Sequence, residues 1–94
     1  MWASLWSDIM IYVFLANGFE EIEALAVVDV LRRAELDVLT VGVGEDFVIG
    51  SHQIPVAADI SEKVYSYCFN LYDDNILIAS SGEQIHNNSK DNYQ

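Results

Sequence analysis

From Ile9 to Ala16 the chain is an unbroken apolar run, IMIYVFLA, rich in Val, Ile, Tyr and Phe. That length and composition predict a strand covered on both faces. The run breaks at Asn17-Gly18, and from Glu20 to Ala34 the pattern predicts a helix. Asn17 followed three residues later by Glu20 has the form of an N-terminal capping pair. Glu20, Glu21 and Glu23 in the first turn and Arg32 and Arg33 in the last complement the helix dipole. The apolar positions Ile22, Ala24–Val28, Val30 and Leu31 wrap most of the circumference, which predicts a heavily buried helix.

A second strand is predicted over Val38–Val43, closed by Gly42 and Gly44. After Glu45-Asp46 comes Phe47-Val48-Ile49, and Gly50-Ser51-His52 reads as a hairpin turn into Ile54–Ala57. Asp59 and Ser61 are turn or cap residues. Val64–Leu71 is aromatic-rich without a clean period, Asn75–Ala79 is a candidate third parallel strand, and Ser80-Ser81-Gly82 punctuates it. The stretch from 83 to 94 is polar, with no apolar face after Ile85, and predicts a frayed or disordered tail. Strand, helix and strand in this order form a parallel β-α-β unit, hence an α/β fold.

The chain of 94 residues sets the scale at one small domain, and 52% hydrophobic content suffices for its core. No apolar run is long enough to cross a bilayer. The N-terminal stretch before Ile9 lacks a basic region and carries Asp8, so it reads as a loose leader and the expected location is cytoplasmic. Fifteen acidic residues against four basic ones give a formal net charge of −11. That field excludes nucleic acid and anionic membrane as partners. One cysteine and two histidines form no internal disulfide and too few ligands for a structural zinc site, and no cofactor is expected.

Among candidate chemical groups, Glu20 and Glu23 share a helix face, with Glu21 turned away. Such carboxylates ordinarily serve the dipole in a solvated first turn. For a functional carboxyl at the carboxyl-end crevice of the sheet, Glu23 is the better candidate, because Ile22 and Ala24 flank and desolvate it. Gly42-Val43-Gly44 begins like a dinucleotide fingerprint, but the third glycine position holds Phe47. Cys68, between Tyr67 and Phe69, reads as a buried, inert thiol. His52 falls on an exposed hairpin turn and His86 in the polar tail, neither with an evident partner.

The run VFLANGFEEIEALAVVDVLRRAELDVLTVGV, continued by IGSHQIPVAADIS, resembles the N-terminal part of the ThiJ/PfpI family. The elements that carry the resemblance are the small-residue turn before Glu-Glu-x-Glu, the Val-Asp-Val-Leu-Arg-Arg-Ala helix end and the Gly-Ser-x-x-Ile-x-Val-x-Ala-Asp hairpin. They span residues 9–61, leaving a divergent stretch over 62–82 and the tail over 83–94 within one partial domain. The resemblance implies a doubly wound, flavodoxin-like α/β sandwich with a mostly parallel sheet. It also implies that Glu23, which matches the third glutamate of the motif, hydrogen-bonds a cysteine nucleophile on a strand-to-helix elbow. The family's activities include glyoxalase and deglycase chemistry on small carbonyl compounds or glycated substrates, and many members are homodimers.

Departures from the family pattern shape the expected function. Where the family has Leu-Pro-Gly-Gly, contributing to an oxyanion hole, this chain has Ile78-Ala79-Ser80-Ser81-Gly82, and only Gly82 remains. Cys68 lies upstream of that position, and the elbow is expected beyond residue 94. A truncated or degenerate domain without catalysis of its own follows as the first expectation. The alternatives are an enzyme completed by a longer chain or a partner, and a small dimerising interaction module whose open sheet edge pairs with a second copy.

Overall fold

The computed structural model describes residues 9–72 and 74–79. In chain order the elements are β1 (Ile9–Leu15), α1 (Glu21–Arg33), β2 (Val38–Gly42), β3 (Phe47–Ile49), β4 (Pro55–Ala57), β5 (Ile60–Ser61), α2 (Glu62–Cys68) and β6 (Asp74–Ala79). A single 3-10 turn, Phe69–Leu71, follows α2. Among the described residues a four-stranded sheet runs in the order β5-β2-β1-β6, all pairs parallel, and β3-β4 forms a separate antiparallel ribbon. The central position of β1 explains its apolar run: β2 pairs it from Ile11↔Val38 to Leu15↔Gly42, and β6 pairs it from Ile9↔Asp74 to Phe14↔Ala79.

Because side chains alternate along a strand, β1 feeds two cores. Ile11, Val13 and Leu15 join Phe19, Ala24, Val28, Val38 and Val48 on the α1 side. Met10 and Tyr12 join Val41 on the other, where Tyr65 and Cys68 of α2 pack. The two helices therefore cover opposite faces of the sheet. Tyr65 anchors α2 through edge-on contacts with Tyr12 and Phe14, at centroid distances of 4.8 and 5.0 Å. The aromatic stretch that shows no period in sequence is thus α2 and its 3-10 turn. Ser61, expected as a cap residue, does cap α2, its hydroxyl accepting from the Val64 N–H at 3.2 Å.

Helix α1 departs from the expectation of heavy burial. Only Glu21, Ala24 and Val28 are buried along it, while Ile22 is 83% and Val30 61% exposed. Apolar residues all round a helix show that it can be buried, and only its neighbours decide how many faces are. Here the sheet covers one stripe. The C-terminal end of α1 is fastened by Asp59, which accepts from Arg32 at 2.6 Å and from the Thr40 N–H at 2.9 Å. Arg32 also donates to the Val38 carbonyl at 2.9 Å. One carboxylate thus ties the end of the helix to β2 and to the loop before β5.

Candidate functional site

The turn between β1 and α1 lies against the tip of the β3-β4 ribbon. Gly18 takes a φ of +90°, a conformation that side chains rarely adopt. Its N–H donates to the Ile49 carbonyl at 2.8 Å, the Ile49 N–H donates to Asn17 Oδ1 at 2.9 Å, and the Ser51 N–H donates to the Phe19 carbonyl at 2.8 Å. Asn17 is thereby taken up by the ribbon. Glu20 stands at the N-cap of α1, without a side-chain cap bond. The expected Asn17–Glu20 capping pair does not form, because an N–H of the short β3 strand claims the Asn17 oxygen.

Glu21, expected to turn away, is the buried carboxyl of this turn at 5% exposure. It lies three residues before Ala24 and seven before Val28, on the one stripe of α1 that meets the core. Its Oε2 accepts from the His52 N–H at 2.8 Å, and Oε1 lies 2.8 Å from His52 Nδ1 and 3.4 Å from Ser51 Oγ. Burial pushes the Glu21 carboxyl up, but the hydrogen bonds from the His52 ring and from backbone N–H groups outweigh it and hold it at about 2. The same hydrogen bond raises His52 above its ordinary 6.5, assisted by the charges of Glu21 and Glu20. Gly50 packs so closely that an added Cβ would collide with the Glu21 carboxylate. Glu20, Glu21 and His52 bring their donor atoms within 4.8 Å of one another, a grouping with potential metal ligands. Both Glu21 oxygens are already engaged by the ribbon tip.

Glu23, by contrast, is exposed. The desolvation expected from Ile22 and Ala24 is absent, because Ile22 itself faces solvent and Ala24 points into the core. Cys68 is partly buried on the α2 side, so the sheet separates it from the helix that carries Glu23. Gly82, His86 and the expected tail lie outside the described residues. At the carboxyl end of β2, a depression of about 350 Å³ is lined by Gly42, Glu45, Asp46, Glu62 and their neighbours, and Glu62 accepts from the Gly44 N–H at 2.8 Å. Three carboxylates against the one cation of Lys63 leave its walls net acidic, which does not favour phosphate or nucleic acid. Among the described residues no helix is long and apolar enough to cross a membrane.

The sequence signal that could have found Glu21 is the stripe itself, since a carboxyl in register with Ala24 and Val28 must find a partner once buried. The partner, thirty-one residues away on a hairpin tip, has no local signature.

A parallel β-α-β unit with a hairpin after its second strand defines the chain as the partial form of a flavodoxin-type α/β domain. A sequence profile of the DJ-1/PfpI family matches residues 10–83, past Ser61, where the motif resemblance stops. The chain belongs to the DJ-1/PfpI family. It is 39% identical over 51 residues to Protein DJ-1 homolog B of Arabidopsis thaliana, an alignment covering 53% of this chain and 12% of that protein. Among solved structures it is similar to a cysteine-to-alanine mutant of a DJ-1 superfamily protein from Salmonella typhimurium, with 37% identity and a TM-score of 0.63. It is also similar to oxidized DJ-1 of Toxoplasma gondii, with 28% identity and a TM-score of 0.66. Each superposition covers 80% of this chain and 39% of the other. The chain therefore spans about two fifths of the length of those structures and a smaller share of the plant protein.

Proposed function

We propose that these 94 residues form a DJ-1/PfpI-family portion that presents the family glutamate, Glu23, but carries out no catalysis by itself. The observation that carries this reading is the placement of Glu23 and Cys68 on opposite sides of the sheet. A carboxyl acting as acid or hydrogen-bond partner contributes little when no nucleophile lies beside it. A cysteine elbow and an oxyanion hole would have to come from further chain or from a partner. Thus completed, the portion would act on a small carbonyl compound or a glycated substrate, with Glu23 bonded to the incoming thiol and Gly82 in the oxyanion loop. The test is consumption of methylglyoxal by the 94-residue chain. The expected rate equals the buffer blank, and Glu23→Gln leaves it there. Turnover above the blank that disappears in Glu23→Gln overturns the reading.

A second reading, a homodimerising module, draws support from β6. Among the described residues β6 pairs only with β1, and Ile76 and Leu77 are about half exposed. An open strand edge with apolar side chains favours pairing with another copy. Sedimentation across a hundredfold concentration range, about 2.8 kcal/mol in association terms, distinguishes the two: a constant monomer mass removes the second reading.

A further inference from the structure

We propose that Asn17-Gly18 is a spontaneous modification site, at which the Asn17 amide cyclises onto the Gly18 nitrogen and hydrolyses to aspartate or isoaspartate, and that the β3-β4 ribbon guards it. This inference does not depend on whether the chain catalyses anything. Asn17 and Gly18 are the middle residues of the turn between β1 and α1, which the Phe19 N–H closes by donating to the Ala16 carbonyl at 3.0 Å. Gly18 holds its φ of +90° without steric cost. Both residues are partly exposed, and nothing lies within 4 Å of the place where a Cβ on Gly18 would stand. Water reaches the pair, and no side chain at position 18 screens the attacking nitrogen.

The reaction consumes only water. The Gly18 nitrogen gives its hydrogen to a solvent base and forms a bond to Asn17 Cγ. The Cγ–Nδ2 bond breaks, Nδ2 regains a proton and leaves as ammonia, and a succinimide ring remains. Water then adds to one of the two ring carbonyl carbons. Cleavage of the new bond between Cγ and the Gly18 nitrogen gives an ordinary aspartate. Cleavage of the original bond from the Asn17 main-chain carbonyl carbon gives isoaspartate, with the main chain routed through Cγ. No oxidation or reduction takes place.

The ribbon engages the very atoms that must move. The Gly18 N–H, whose hydrogen has to leave, donates to the Ile49 carbonyl at 2.8 Å. Asn17 Oδ1, which has to swing with Cγ, accepts from the Ile49 N–H at 2.9 Å. The leaving nitrogen, Nδ2, lies 3.4 Å from Glu45 Oε2. Ile49 can hold both atoms because its cross-strand partner is Pro55, which has no N–H to offer, so both backbone groups of Ile49 are spent on the turn. Cyclisation therefore requires the ribbon to lift, and its rate in the folded chain scales with the fraction of time the ribbon is open. Conversion is one-way and weakens the tie. In the aspartate form a carboxylate faces Glu45 where an amide donor stood, and in the isoaspartate form one extra carbon enters the main chain of the turn.

The test is incubation of the 94-residue chain at mildly alkaline pH, in buffer and in concentrated urea. Peptide mapping counts conversion at each asparagine, and a protein-isoaspartate methyltransferase counts isoaspartate. In urea Asn17 should convert fastest, because no other asparagine of the chain precedes a glycine. In buffer its conversion should be at least about tenfold slower. Ile49→Pro deletes the N–H given to Asn17, and Val48→Ala trims a side chain fully buried under the ribbon while keeping every backbone bond. In variants whose circular dichroism matches the parent's, each change should raise the buffer rate at least about threefold and leave the urea rate unchanged. Equal rates in buffer and urea, or a buffer rate indifferent to both changes, overturns the guard. Absence of preferred conversion at Asn17 in urea overturns the site.

Discussion

The two faces of the sheet differ in how completely they are built. On the α1 side eight buried residues form one core, drawn from β1, the turn at Phe19, α1, β2 and β3. On the α2 side the buried set is Met10, Tyr12 and Val41, and α2 contributes no buried residue of its own. The α1 side also holds the polar ties: Asp59 at one end of the helix and Glu21 at the other. Strand β6 belongs to both faces yet closes neither, with four of its six residues exposed. Stability should therefore be concentrated in the part built from the β-α-β unit and its hairpin, with the α2 side held mainly by the Tyr65 aromatic contacts.

The sharpest way to break that comparison is to truncate one leucine on each side. Leu15 is fully buried in the α1 core, and Leu77 on β6 is 52% exposed. Leu15→Ala should cost about 3 kcal/mol in denaturant unfolding, combining lost transfer energy with a cavity. Leu77→Ala should stay within about 0.5 kcal/mol. Equal costs would mean that β6 is covered in solution and that the faces are alike.

Next in size is the tie at Asp59. Burial would raise this carboxyl, but the Thr40 N–H and the Arg32 guanidinium hold it below the usual aspartate range. Asp59→Ala should cost about 1–2 kcal/mol, discounted because both side chains are more than a third exposed and solvent screens the pair. Since the folded value is depressed, this contribution is present above the ordinary 3.8 and fades as pH falls below it. The alanine variant should therefore lose less stability on acidification than the parent.

How far these regions could be read from sequence follows the same division. The run Ile9–Ala16 announced a doubly covered strand, because burial on both faces leaves no polar position. Gly50-Ser51-His52 announced a hairpin, because its turn chemistry is local. The burial of Glu21 was hidden, although its register with Ala24 and Val28 was in view, because the partner that satisfies it is remote. Ile22 and Val30 were misleading for the converse reason: apolar side chains on a helix declare what they can bury against, and the described structure places nothing there. The family motif picked out Glu23 by position, and position alone does not say whether a carboxyl is wet.

A smaller effect sharpens the α1 side further. Glu35 follows that helix with a φ of +65°, a left-handed conformation that favours glycine. Its N–H donates to the Arg32 carbonyl at 2.9 Å, and the next residue's N–H donates to the Leu31 carbonyl at 3.1 Å, so the chain reversal is closed by hydrogen bonds. Glu35→Gly should stabilise the chain by about 1 kcal/mol, since the strain of the side chain is removed while the bonds stay. Loss of stability on that change would show that the entropy of the added glycine outweighs the strain.

The smallest expected effect lies on the α2 side, at Tyr12. Its ring is fully buried, and its hydroxyl has no hydrogen-bond partner among the described residues. A buried donor without a partner carries its desolvation cost uncompensated, so Tyr12→Phe should be neutral or stabilising by at most about 1 kcal/mol. Burial first, then the neighbouring Cys68, Tyr72 and Tyr65, push the Tyr12 hydroxyl up to about 12. Its folded value exceeds the ordinary 10, so its contribution is intact below pH 10 and is lost as pH rises toward 12. Other tyrosines titrate in the same range, but the difference between the parent and Tyr12→Phe isolates this one. The parent should lose stability faster than the variant above pH 10, and parallel curves would mean that the hydroxyl reaches water and that the α2 side is looser than its aromatic contacts suggest.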